Sequence, residues 1–110
     1  MPTVFWMSRL KKGVKGADYE RWVRDFDYVK AEELSSILSY RAHRISGPFL
    51  EDGTKPFDYL EVIDVKDLEV YREQLAQHPA AQAIVKEWGD YVELVHSLYG
   101  EFLPPGISRL

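Results

Sequence analysis

Two stretches, SSILSYRAHRI at residues 35–45 and FDYLEVIDV at residues 57–65, decide how this chain folds. Both have the two-residue rhythm of a β-strand. The segment between them, SGPFLEDGTKP at residues 46–56, holds two glycines and two prolines and reads as a long hairpin loop. A central hairpin is therefore expected, and the flanks complete the pattern. Upstream, TVFWMSRL at residues 3–10 is short, β-branched and aromatic, a first strand. KKGVKG at residues 11–16 is a loop, and Asp18 is placed to cap a helix running through YERWVRDFDYVKAEE. In that helix Tyr19, Trp22, Val23 and Phe26 recur at helical spacing and form one apolar stripe.

Downstream, Asp67 is placed to cap a helix over DLEVYREQLAQ. Pro79 suits the first turn of a short further helix, PAAQAIVKEW, with Gly89 near its end and His78 as a surface cap before it. DYVELVHSLYGEFL at residues 90–103 is a long last strand, and PPGISRL is an arm. The order βαββαβ, with right-handed crossovers, predicts an α+β, ferredoxin-like domain over residues 1–110. Its helices cover one face of a four-stranded antiparallel sheet. The bare face calls for a second copy, which makes a dimeric α/β barrel with a cavity in each half.

Composition narrows the function. The chain has no cysteine, which removes disulfides and thiol chemistry. The net charge is −4 and the 14 Lys and Arg are scattered, so no nucleic-acid stripe exists. No apolar run reaches the ~18 residues of a membrane span. MPTVFWMSRLKK carries its charges after its apolar run, the wrong order for a signal peptide, and a cytoplasmic location is expected. The three histidines lack metal-ligand spacing, and with no cysteine a zinc site is not expected.

Alternation then sorts the strands into faces. Leu38, Tyr40, Ala42 and Arg44 share one side of the second strand, and Ser39, Arg41, His43 and Ile45 the other. The Leu-, Val- and Ala-rich sets are expected under the helices. The mixed sets, with Tyr59 and Glu61 or Ser97 and Tyr99, are expected to line the barrel interior. On that reading Glu61 sits beside His43 and Arg41. A histidine next to a carboxylate is an acid–base unit, and an arginine holds an acidic or carbonyl group. His43, Glu61 and Arg41 are the candidate catalytic residues, and Tyr59, Tyr99, Trp6 and Ser39 the candidate substrate contacts. His96 falls with Val92 and Leu94 unless the strand bulges, and is kept as a further contact. Phe5 and Trp88 are further walls for an aromatic ligand. Asp25 and Asp27 sit where the end of the first helix can border a cavity mouth.

The paired segments YERWVRDFD and SYRAHRI carry a resemblance. With VFWMSRLKKGV and the last strand, they resemble the RedY/HapK family of small dimeric α/β-barrel proteins of prodiginine-type pyrrole biosynthesis. The family pattern has a proline after the D-Y that ends the first helix, where this chain has Val29. The resemblance implies a homodimer, a ligand cavity in each protomer and a cofactor-free role in cyclising or condensing a reactive aromatic or pyrrole-like metabolite. The same architecture hosts haem-degrading and quinol-forming monooxygenases. Those lean on an asparagine, and this chain has none. Two other functions compete with the enzyme: a non-catalytic barrel that shelters a biosynthetic intermediate, and an interaction protein whose bare sheet meets a different partner.

Overall fold

The computed structural model describes residues 1–110. β3 (Tyr59–Val65) lies inside the sheet and alternates strictly in burial, with Tyr59, Glu61, Ile63 and Val65 buried and the residues between them less so. It pairs antiparallel with β1 (Pro2–Leu10) on one side and β2 (Ile37–Arg44) on the other, and β1 also pairs with β4 (Val92–Glu101). The order β2-β3-β1-β4 in a four-stranded antiparallel sheet is the ferredoxin-like arrangement. The expected fold is the observed one.

Helices cover one face. The first runs as α1 (Gly16–Trp22), a π-helical stretch (Val23–Asp27) and α2 (Tyr28–Ala31). It starts two residues before Asp18, which lies in the first turn as an acidic group near the positive helix end instead of capping it. Val29, where the family pattern has proline, continues α2 with its side chain exposed. α3 (Leu68–Gln77) begins at Asp67, whose carboxylate accepts from the Val70 N–H at 3.0 Å, as expected. His78 caps the next helix through Nδ1, which accepts from the Ala80 N–H at 3.0 Å. That helix, α4 (Pro79–Tyr91), runs for 13 residues and passes through Gly89 without stopping. No helix is long and apolar enough to cross a membrane.

Three buried clusters hold the layers together. Tyr19, Trp22, Val23, Tyr59 and Val92 join α1 to β3 and β4. Val4, Ile63, Val65 and Tyr71 join the sheet to α3, and Leu34, Ala80 and Ala81 close the far end against α4. A polar latch ties α1 to the edge of the sheet: Glu20 receives Arg44 on both oxygens and the Tyr59 hydroxyl at 2.7 Å.

The register keeps the expected faces of β2 and reverses those of β3. Tyr40 opposes Ile63, Ala42 opposes Glu61 and Arg44 opposes Tyr59, all on the helix side. His43 opposes Leu60, Arg41 opposes Val62 and Ser39 opposes Asp64, on the bare side. Glu61 therefore does not neighbour His43 or Arg41; a whole sheet thickness separates them. Two irregularities complete the correction. At β4, Met7 pairs with His96 but Ser8 pairs with Leu94, which leaves Val95 as an extra residue. Val92 and Leu94 consequently face the helices, His96 and Leu98 the bare side, and Ser97 and Tyr99 the helix side. At β2 the same slip leaves Leu38 unpaired, and it is 44% exposed instead of packed under the helices.

Candidate acid–base cavity

Between the helix side of the sheet and the helices lies a cavity of about 480 Å³. Its walls are apolar, from Leu34, Ile37, Ile63, Leu75 and Ile84 among others. Two acids interrupt them, Glu61 from β3 and Asp27 from the π-helical stretch. Both are almost completely buried, at 6% and 2% exposure. The residues of the lining that remain exposed, Arg72, Ala76, Val85 and Leu94, mark the mouth.

Asp27 reaches the cavity because of the helix that carries it. In the π-helical stretch the Tyr28 N–H bonds to the Val23 carbonyl, five residues back. The wider turn keeps Asp27 under the helix, four residues after Val23. In a regular α-helix the inward position would drift toward Phe26, which here is only half-buried. Single π-turns of this kind recur at functional sites.

Aromatic donors surround the two acids. Glu61 Oε1 accepts from the Tyr19 hydroxyl at 3.0 Å and from the Trp88 indole N–H at 3.1 Å. Asp27 Oδ2 accepts a short bond of 2.5 Å from the Tyr40 hydroxyl. The Trp6 indole donates to the Tyr71 hydroxyl at 3.2 Å on a neighbouring wall. No Lys, Arg or His is bonded to either acid, so burial dominates their titration. It pushes the Glu61 carboxyl up to about 7, with the nearby Asp27 charge adding to the rise and the Tyr19 and Trp88 hydrogen bonds opposing it. Burial also pushes Asp27 up, to about 6, against the Tyr40 hydrogen bond. The Asp27 charge contributes to the Glu61 shift, so the titrations of the two carboxyls are coupled. Burial and the adjacent carboxylates push the Tyr19 and Tyr40 hydroxyls upward, so both stay protonated donors.

Of the residues chosen from sequence, the structure brings Glu61 and Trp6 to the cavity, together with Trp88 as a wall. Tyr59 is packed in the core against Tyr19, with its hydroxyl on Glu20. Tyr99 borders a smaller side chamber of about 140 Å³. Ser39, Arg41, His43 and His96 lie on the bare face, where Ser39 and Thr3 both donate to Asp64, at 2.8 and 2.6 Å. Phe5 is on that face too. Asp25 is exposed, while Asp27 lies deep in the site. Sequence reasoning undervalued Asp27 and missed Tyr19, Tyr40 and Tyr71. The signal available was the number of tyrosines on inward helix and strand positions, each bringing a hydroxyl that needs a partner when buried.

A family model, REDY-like protein HapK, matches residues 2–103. This chain belongs to the HapK family. Its structure is similar to the crystal structure of HapK from Hahella chejuensis, at 27% identity over 99% of both chains with a TM-score of 0.82. The fold is shared more widely. Hydroxynitrile lyase from Passiflora edulis is 14% identical over 96% of this chain and 95% of its own, with a TM-score of 0.70. A dimeric ferredoxin-like protein of unknown function from Thermobifida fusca is 15% identical over 92% and 88%, with a TM-score of 0.65. No curated protein matches this HapK-family chain.

Proposed function

We propose that this HapK-family protein is a cofactor-independent cyclase or condensation enzyme for a reactive aromatic or pyrrole-like intermediate of secondary metabolism, prodiginine-like in kind. The acid–base residues of this reading are Glu61 and Asp27, in place of His43 and Arg41. One observation carries it: two buried carboxyl groups, both raised toward neutral pH, stand at the polar spot of an otherwise apolar cavity. Cyclisation or condensation with loss of water needs an acid and a base within one site. The protonated member gives its proton to the departing hydroxyl, which leaves as water. The ionised member takes the proton from the nitrogen or carbon that forms the new bond. Carboxyl groups held near neutral pH suit both roles. Trp6 and Trp88 supply aromatic walls that orient a flat substrate.

Two copies pair in this proposal through the bare sheet face, where Phe5, Met7, Leu60, Val62 and Leu98 form an apolar field bordered by Arg41, His43 and His96. Those three then serve the interface and not the chemistry.

The test uses small-molecule extract from the producing cells, incubated with catalytic amounts of the protein and followed by mass spectrometry. Consumption over many turnovers is expected, with a product one water lighter than the compound, or the pair of compounds, that forms it. Glu61→Gln should slow that turnover by about a hundredfold or more, while His43→Ala should leave it nearly unchanged. Stoichiometric retention of one compound with no product would favour the sheltering role, and a slow His43→Ala enzyme would return the acid–base assignment to the other face.

A further inference from the structure

The side chamber and the main cavity share four residues, Trp6, Tyr71, Arg72 and Leu75. The partition between them includes the Trp6–Tyr71 hydrogen bond. Arg72 is the one cation in the lining of either space, and it belongs to both. Its guanidinium stands over the Tyr99 ring, 5.8 Å from the centroid. The Tyr99 ring therefore steadies the guanidinium above the chamber. Its ion pair with Glu69 is an i,i+3 contact between exposed side chains. Such pairs contribute little and exchange easily. Beside Arg72 the chamber offers the Ser97 and Tyr99 side chains and is otherwise apolar.

We infer that Arg72, with Tyr99 and Ser97, forms a subsite for a carboxylate on the end of the ligand remote from Glu61. The ligand is then elongated and two-ended. Its reacting end lies in the apolar cavity at the acid pair, and its carboxylate lies at the mouth on Arg72. The arrangement follows from charge. Glu61 and Asp27 repel an anion at the inner end, and Arg72 attracts one at the outer end, so a ligand with a single carboxylate has one favoured direction of entry. The inference rests on the cavity being the ligand site, as proposed above.

The test compares phenylbutyrate with phenylbutanol, which differ at the carboxylate end, by calorimetric titration of the intact protein near neutral pH. The wild-type protein should bind the acid about tenfold tighter than the alcohol. Arg72→Gln should abolish that preference without changing affinity for the alcohol, and Arg72→Lys should keep part of it. Arg72 is largely exposed, and circular dichroism of each variant should match the wild type. Equal binding of the two probes, no binding of either, or a preference that survives Arg72→Gln would overturn the subsite. Turnover is not read in this experiment, so failure of Glu61 as acid–base group and failure of Arg72 as anion site give separate results.

Discussion

Glu61 is an acid kept in a place that disfavours its charge, and its consequence for stability has a definite sign. Below its ordinary value of 4.5 both folded and unfolded chains hold the proton. Between 4.5 and about 7 the unfolded chain releases it and the folded chain keeps it, so stability falls as pH rises through that window. Asp27 acts in the same direction from 3.8 up to about 6. Glu20 acts oppositely. Its hydrogen bonds from Arg44 and Tyr59 hold it at about 2, and the stability it contributes is lost only as pH falls from 4.5 toward that value. Glu61→Gln keeps an oxygen for Tyr19 and Trp88 but removes the titration. Thermal melts should therefore show the variant gaining on the wild type by roughly 1–3 kcal/mol between about pH 5 and about pH 8. Parallel curves would mean that Glu61 titrates as an ordinary carboxyl. Tyr40→Phe removes the donor to Asp27 and should cost roughly 1–2 kcal/mol, read by urea unfolding. An unchanged midpoint would show that another group takes up that donor role.

Among the elements, the sequence made the strands and their order plain, because β-branched and aromatic runs with period two are hard to mistake. It pointed to the wrong side of β3: alternation places Tyr59 and Glu61 toward the barrel interior, and the structure places them under the helices. Tyr59-Glu61-Ile63 and Leu60-Val62-Asp64 each mix apolar and acidic residues, and a carboxylate is normally the residue assigned to water. Glu61 breaks that rule because Tyr19 and Trp88, far away in sequence, bring donors to it. His96 changed faces through one extra residue, Val95, and Asp27 turned inward through one wide helical turn. Neither a bulge nor a π-turn leaves a composition signal, so periodicity carried past them goes astray. Local chemistry was more legible: Asp67 and His78 cap where short-range hydrogen bonding places them. Asp67→Ala should cost about 1 kcal/mol, and a loss near zero in chemical denaturation would show α3 to be held by packing alone. Ser8 behaves differently. Its hydroxyl is fully buried beside the β4 bulge without a partner. Ser8→Ala should leave stability equal or raise it by up to about 1 kcal/mol in the same assay, and a clear loss would show a bonded hydroxyl.

At the scale of the molecule, one sheet serves two environments. The proposed pairing predicts that Leu98→Asp, at a position 55% exposed in the protomer, yields a folded monomer in sedimentation. A dimer that persists would place the interface elsewhere. The two sides are written in alternate letters of the same strands: Met7 beside Trp6, Val62 beside Glu61, Arg41 beside Tyr40. With the proposed pairing and ligand site, neighbours in the chain answer to different selective demands. A lineage can exchange its association partner by changing one set, or its ligand by changing the other, without passing through a sequence that loses both. Descendants of such a sheet are free to diverge in chemistry while their assembly stays the same, or the reverse.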